Sequence, residues 1–523
     1  MPPCLTGIHQ ENGVSWQLII RMQTVKDQAS PDYGWRQRSG WLLGPLALAM
    51  TFLFDAPEGL SESGWRTLGA ALLMATWWIT EPIPIAATAL MPMVIFPLLG
   101  LGGIKEVAAP YANPLVFLFL GGFLIALAMQ RWNLHKRLAI HLIQSLGTRP
   151  TRVIAGFLLT GALTSMWVSN TATAMMMLPI ATSVVALVAG GERSSHQNLG
   201  PALMLAVAYG ATTGGMATLI GTPPNALLAG YMGKIYDLDI GFGQWMLIGM
   251  PVTFLALPVV YFVLTRISFR LSNQEIPGMK ELLDRERKQL GPFGNGEKVV
   301  ATVFVCTALC WIFRPWIAAR IPMISDTTIA IGGALALFCV PIEPRKCIFA
   351  LDWESTKDLP WGVLLLFGGG LSLAGMISEH QLSEYLGNLT TGLGGLPVVL
   401  IICLLCFGIL MLTELTSNTG TAATFIPIIA AVAISLGQNP LLFLVPTALA
   451  ANCSYMMPVG TPPNAIVFGS GLITLPQMAK AGLLLNVLLV PIVVVVLWFL
   501  GPHVFDIQMD TLPSWVPEQP PQP

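Results

Sequence analysis

Charge is what this chain has least of. Asp, Glu, Lys and Arg make up 10% of its 523 residues, against roughly 25% in an ordinary soluble domain. A net charge of −1 with so few charged groups leaves no basic patch for a nucleic-acid partner. Histidine is scarce too, at six residues, and His135, His141, His196 and His380 stand isolated in connectors, so no metal centre is indicated. The eight cysteines are scattered through apolar segments. Cys403 and Cys406 form a C-x-x-C inside the run Leu400–Leu412 without a second pair, which favours small buried hydrophobes over zinc or redox chemistry. The first forty residues hold only a weak apolar patch at Leu18–Ile20 and no cleavage site, so they read as a tail, not a signal peptide. Met22 is a candidate native start. Gly368-Gly369-Gly370 lacks a following Lys-Ser/Thr and lies in an apolar span, so it indicates close helix packing rather than phosphate binding. No nucleophile–base pair occurs in the apolar runs, which argues against a membrane enzyme.

What is present is apolar length. The composition is 54% hydrophobic with a mean hydropathy of +0.69, the signature of an integral membrane protein with many spans. Runs able to cross a bilayer are expected near 40–56, 64–81, 83–101 and 113–131, followed by a basic amphipathic connector at Leu134–Leu146. Further stretches are 152–190, 200–232 and 244–266, then a polar loop at 267–297, then 298–316, 326–342, 360–378, 396–435, 440–471 and 481–501.

Two motifs occur twice in these runs. Ser169-Asn170-Thr171 with Pro179-Ile180 returns 248 residues later as Ser417-Asn418-Thr419 with Pro427-Ile428. Gly221-Thr222-Pro223-Pro224-Asn225-Ala226 returns 239 residues later as Gly460-Thr461-Pro462-Pro463-Asn464-Ala465. Similar offsets and a shared order make the chain two related halves. Broken helices in corresponding positions of two membrane halves point to a transporter's binding site.

The stretches 152–190 and 396–435, about forty residues each, exceed one span. A polar Ser-Asn-Thr apex at the midpoint suggests hairpins that enter and leave on one side. Non-helical backbone at membrane depth is tolerated where protein buries it or it lines a wet cavity. The expected fold is therefore all-α, with eleven transmembrane helices plus two re-entrant hairpins. Threading the spans with the N-terminus in the cytoplasm leaves only Arg66, Lys105, Lys234, Arg314 and Arg320 outside, so 21 of the 26 basic residues fall inside. This bias places the C-terminus outside and makes the halves inverted repeats.

At a hairpin apex, helix N-termini attract anions and freed C-terminal carbonyls attract cations. Asn offers both an oxygen and an NH₂, and the Thr-Pro-Pro turn stops the helix so that Gly221 and Gly460 leave bare carbonyls. Two hard-cation sites flanking one anion site follow, and oxygen donors without a carboxylate suit Na⁺. Proton coupling would need an intramembrane ionisable group. Glu414 is the candidate, with a hydrogen-bonded structural role as the alternative; Glu81 sits at a span boundary.

These motifs, with Trp77-Trp78-Ile79-Thr80-Glu81-Pro82-Ile83-Pro84 and Pro360-Trp361-Gly362…Leu366-Phe367-Gly368-Gly369-Gly370, resemble the divalent-anion/sodium symporter (DASS) family. The resemblance runs from about Gly40 to Gly501. It implies a homodimeric elevator transporter for dicarboxylates, citrate or sulfate, coupled to co-transported sodium ions. It further implies a cytoplasmic tail at 1–39, a scaffold at 40–151 and 298–395, a transport domain at 152–266 and 396–501, a cytoplasmic loop at 267–297, and an extracytoplasmic tail at 502–523. By the same resemblance Asn170, Thr171, Thr212, Asn418, Thr419, Thr461 and Pro462 contact substrate. One sodium site would use Ser165, Ser169, Asn170 and Ala211; its mate would use Thr413, Thr416, Asn418 and Gly460. The chain departs from the expected pattern at Asn452-Cys453-Ser454-Tyr455 and at Thr212-Thr213. The expected function is Na⁺-driven symport of C4-dicarboxylates such as succinate across the cell (inner) membrane. The alternatives are sulfate or citrate symport, sodium-independent exchange, and an anion channel.

Overall fold

The structure, a computed structural model, describes residues 34–189, 198–272, 274–389, 395–508 and 511–516. The Met22 start, Arg21, Lys26, Arg193, His196 and the final residues 517–523 lie outside the described residues.

The first half opens with α1 (Trp35–Leu53) and α2 (Glu62–Thr80), which pack along one another. Ser61 starts α2 by accepting from Gly64 N–H at 3.0 Å, an N-cap that satisfies one of the orphan donors of a helix start. The segment expected as one span at 83–101 is instead two short helices, α3 (Ile85–Thr88) and α4 (Pro92–Leu98). Pro92 has no N–H to continue the ladder, and the Tyr111 hydroxyl donates to the Ala89 carbonyl released at the break. After α5 (Ile104–Ala108) comes α6 (Pro114–Arg131), capped by Asn113, whose side chain accepts from Leu115 N–H at 2.9 Å. The amphipathic connector is α7 (Leu134–Leu146).

Both long stretches break at their Ser-Asn-Thr motifs, and both helices that follow break ahead of their Thr-Pro-Pro turns. The first long stretch folds as α8 (Pro150–Ser165) and α9 (Asn170–Ala189). The next is α10 (Leu199–Gly215), interrupted at 216–222 and resumed as α11 (Pro223–Tyr236). Then α12 (Phe242–Phe262) continues into a π-helical turn at Val263–Ser268. The loop at 267–297 carries a helix, α13 (Met279–Leu290).

The second half contains α14 (Asn295–Ile312), α15 (Arg314–Ala318) and α16 (Asp326–Cys339). A small antiparallel ribbon, β1 (Pro341–Glu343) and β2 (Ile348–Phe349), qualifies the all-α expectation. It is followed by α17 (Trp361–Glu379) and α18 (Leu382–Asn388). The second hairpin is α19 (Val398–Thr413) and α20 (Asn418–Ser435). The second broken helix is α21 (Pro440–Asn452), interrupted at 453–461, then α22 (Pro462–Gly469), and α23 (Leu475–Val504) closes the fold.

The repeat extends to backbone detail. Asn133 and Gln381, 248 residues apart, are both left-handed N-caps, with φ of 53° and 56°. Seven described helices are long and apolar enough to cross a membrane, and four shorter apolar helices accompany them. Breaks at the hairpin tips and at the Thr-Pro-Pro turns divide the other apolar stretches into pieces. The broken helices form the centre of the molecule: every residue of α21 is buried, as is nearly all of α10.

Candidate functional site

The Ser of each Ser-Asn-Thr motif caps the helix that follows it. Ser169 Oγ accepts from Ala172 N–H at 3.3 Å, and Ser417 Oγ accepts from Gly420 N–H at 3.5 Å. Asn170 and Asn418 are thereby the first residues of α9 and α20, with Thr171 and Thr419 second. Their backbone N–H groups have no intrahelical acceptor, because the preceding turn is absent. All six motif residues are half-buried, in contrast to the closed surroundings of α10 and α21. The proline turns produce the same result by another route. Thr222 and Thr461 adopt extended N-cap conformations, with two prolines opening each helix at positions where an N–H would go unpaired.

The helices pair across the repeat. α9 packs on α22 and α20 packs on α11, so the second helix of each Ser-Asn-Thr stretch lies against the helix that follows the other half's Thr-Pro-Pro turn. Asn170 and Thr171 therefore open a helix that packs on the one opened by Pro462 after Thr461, and Asn418 and Thr419 open one that packs on the helix opened by Pro223 after Thr222. Pro462 is exposed, while Thr461 is buried. Thr212 is fully buried in α10, with no partner for its hydroxyl among the described residues.

An oxygen cluster lies at the base of each tip. In the first half, Ser165 Oγ donates to Asn170 Oδ1. A Cβ on Gly215 would sit 2.6 Å from that Oδ1, and a Cβ on Gly221 would sit 2.5 Å from the Gly215 carbonyl. Only glycine permits this convergence of the hairpin tip and the helix break. In the second half, Thr413 Oγ1 donates to Asn418 Oδ1 at 2.8 Å and is 2.9 Å from the Ala451 carbonyl. A Cβ on Gly460 would lie 3.2 Å from the Glu414 carbonyl. Ser165–Asn170 and Thr413–Asn418 are thus the same i, i+5 pair in the two halves. Ala211 is buried beside Gly161 of α8. Thr416 differs: its hydroxyl is already bonded to Leu412 O at 2.9 Å and Thr421 Oγ1 at 2.6 Å. Oxygen-only clusters of this kind suit a hard monovalent cation.

The bonding roles of several residues in this arrangement were not anticipated from the sequence. Asn225 Nδ2 donates to Gly215 O at 3.2 Å and Thr218 O at 2.8 Å, and Asn464 Nδ2 donates to Ser454 O at 3.1 Å and Met457 O at 3.0 Å. The Asn of each hexapeptide therefore stitches the frayed break above it. Asn452 bridges the halves, accepting from Thr222 at 2.5 Å and donating to Asn225 Oδ1 at 2.8 Å. Tyr209 donates to Tyr455 O at 2.7 Å, and Thr213 and Tyr455 share a hydroxyl contact at 2.9 Å. The sequence signal for Asn225 and Asn464 was their exact repetition. Asn452 and Tyr209 had no counterpart to reveal them.

Two related sets of helix ends around half-buried Asn and Thr have the character of a secondary transporter's binding site. Residues 40–505 match the family description "Sodium:sulfate symporter transmembrane region", and the chain belongs to that family. It is accordingly a membrane transporter and not an enzyme. The sodium-dependent dicarboxylate transporter SdcS of Staphylococcus saprophyticus is 41% identical over 505 residues, covering 94% of this chain and 96% of that protein. SdcS of Staphylococcus aureus (strain USA300) is 41% identical over 483 residues, covering 91% and 93%. Among solved structures, Neisseria gonorrhoeae MtrF, described as illuminating a class of antimetabolite efflux pumps, matches with TM-score 0.53 at 12% identity, covering 91% of this chain and 97% of that one. That likeness concerns the fold alone.

Proposed function

We propose that this protein is a Na⁺-coupled symporter of small di-anions, with C4-dicarboxylates such as succinate as substrate. The observation that carries the reading is the duplicated pair Ser165–Asn170 and Thr413–Asn418. Each Asn turns its Oδ1 toward a hydroxyl at the base of its tip, which leaves its NH₂ for another partner. A cation held at Oδ1 fixes the amide plane, and the fixed NH₂ then joins the helix N-termini in binding a carboxylate. Asn170, Thr171, Asn418 and Thr419, with Thr212, Thr461 and Pro462, take the substrate. Ser165, Ser169, Asn170 and Ala211 hold one sodium; Thr413, Thr416, Asn418 and Gly460 hold the other. Because cation binding forms the anion site, each raises the other's affinity by the same factor. The relatives' name, dicarboxylate transporter, favours dicarboxylate over sulfate; the family description keeps sulfate as the second reading.

The architecture we infer is eleven spans and two re-entrant hairpins in inverted repeats. The protein is then a homodimer in the cell (inner) membrane with N-terminus inside and C-terminus outside. The hairpins and broken helices move as one body past a scaffold in an elevator cycle. The close interlocking of α9, α11, α20 and α22 supports a single moving unit. The test is uptake of labelled succinate, citrate and sulfate into proteoliposomes, with a Na⁺ or pH gradient as the only driving force. Succinate accumulation driven by Na⁺ alone is expected. Accumulation driven by the pH gradient alone, or currents beyond carrier turnover without accumulation, would overturn the reading.

A further inference from the structure

The bases of the two Ser-Asn-Thr tips differ in one charged side chain. Glu414 lies at the base of the second hairpin tip, one residue after Thr413, and is 2% exposed. Its Oε1 accepts from Tyr455 N–H at 2.7 Å, Met456 N–H at 2.9 Å and Asn486 Nδ2 at 2.7 Å. Its Oε2 accepts from Met456 N–H at 3.0 Å, Met457 N–H at 2.9 Å and Ser454 Oγ at 3.1 Å. Both oxygens thus face donors only, and among the described residues no Lys or Arg forms an ion pair with this carboxylate.

The corresponding place in the first half, 248 residues earlier, is Met166. There the hairpin is tied to the helix break by Thr218, whose hydroxyl donates to Met166 O at 2.5 Å and accepts from Gly221 N–H at 3.1 Å. One half is joined by a neutral hydroxyl, the other by a buried carboxylate. A buried charge is retained when it is hydrogen-bonded and has a compensating charge nearby. The donors supply the first condition, and a cation beside Thr413, Asn418 and the Glu414 carbonyl supplies the second.

We propose that Glu414 is a positioning residue that makes the second cation site, around Thr413 and Asn418, the tighter of the two. It acts in two ways. Its field favours a cation near the tip, and its grip on the N–H groups of Tyr455, Met456 and Met457 holds the 453–461 segment in place against the hairpin. Sodium therefore enters the second site before the first. This inference rests on the sodium-coupled reading above.

The test uses the full-length protein purified in detergent, with NaCl as probe and choline chloride as control, without substrate. Hydrogen exchange of the unaltered protein at sub-saturating Na⁺ should show protection at 453–461 before 216–222. Protection of 216–222 first would overturn the inference while leaving the sodium sites standing. Protection of neither would overturn the site assignment and this inference with it. In Na⁺-dependent thermal shifts, Glu414→Gln should raise the half-saturating Na⁺ concentration about tenfold, the effect of a unit charge within about 10 Å at an effective dielectric constant of roughly 20. Glu414→Asp, which keeps the charge, should stay within about threefold of wild type, a shift worth well under 1 kcal/mol. A lower melting temperature with unchanged half-saturation in Glu414→Gln, or equal losses in both variants, would overturn it.

Discussion

The side-chain amide of Asn452 donates to Oδ1 of Asn225 at 2.8 Å, joining the end of one broken helix to the start of the other. Both residues are buried, at 1% and 0% exposure, and Asn452 also accepts from Thr222. Removing one partner of a buried hydrogen bond leaves the other unsatisfied, at a cost of about 1–3 kcal/mol. Asn452→Ala strands both Thr222 and Asn225. It should destabilise the protein by about 2 kcal/mol or more, visible as a lower melting temperature in detergent, with little of the loss recovered by adding Na⁺.

Asn170→Ala and Asn418→Ala remove the side chains proposed to serve both cation and anion. Each should abolish Na⁺-dependent uptake while the protein remains monodisperse and folded by size-exclusion chromatography and circular dichroism. Robust uptake by both variants would refute the site assignment.

Gly214 of α10 lies against the backbone of Ala162 in α8, where a Cβ would collide with the carbonyl. Backbone cannot yield as a flexible side chain can, so overpacking here is costly, about 1–3 kcal/mol. Gly214→Val should sharply reduce the yield of folded protein. Gly408→Val, at a position with open space around it, should not.

Arg137 on α7 fastens the polar loop at 267–297. It pairs with Glu297 at 2.7 Å and donates to Leu290, Gly291 and Pro292 carbonyls. Lys136–Glu286 at 3.0 Å and Gln144–Asp284 at 3.0 Å extend the contact to α13. Arg137→Ala leaves the nearly buried Glu297 carboxylate without its charge partner. Limited proteolysis of 267–297 should accelerate several-fold, and Arg137→Lys should rescue it only in part, because an ammonium cannot reproduce the guanidinium fork.

Span positions were readable from the sequence because apolar length is a local quantity. The expected runs at 113–131 and 360–378 correspond to Pro114–Arg131 and Trp361–Glu379 within a residue or two. The hairpin tips and helix breaks were readable too, since Ser-Asn-Thr and Thr-Pro-Pro act on their own backbone. The run at 83–101 was not, because hydropathy does not register that Pro92 divides it. Nor was the role of Glu414 settled: three of its donors are backbone N–H groups of residues 455–457, which carry no side-chain signature.

The sequence by itself determined that this is a membrane protein of two related halves, with Asn170 and Asn418 at broken helices. Those conclusions rest on composition, repetition and local backbone chemistry. Only the tertiary structure decided that α9 and α20 pack on the other half's α22 and α11, that Asn452 joins the two breaks, and that the two oxygen clusters differ by one buried carboxylate. Such facts depend on contacts between residues hundreds apart in the chain, where proximity is set by how the helices pack and not by any spacing along it.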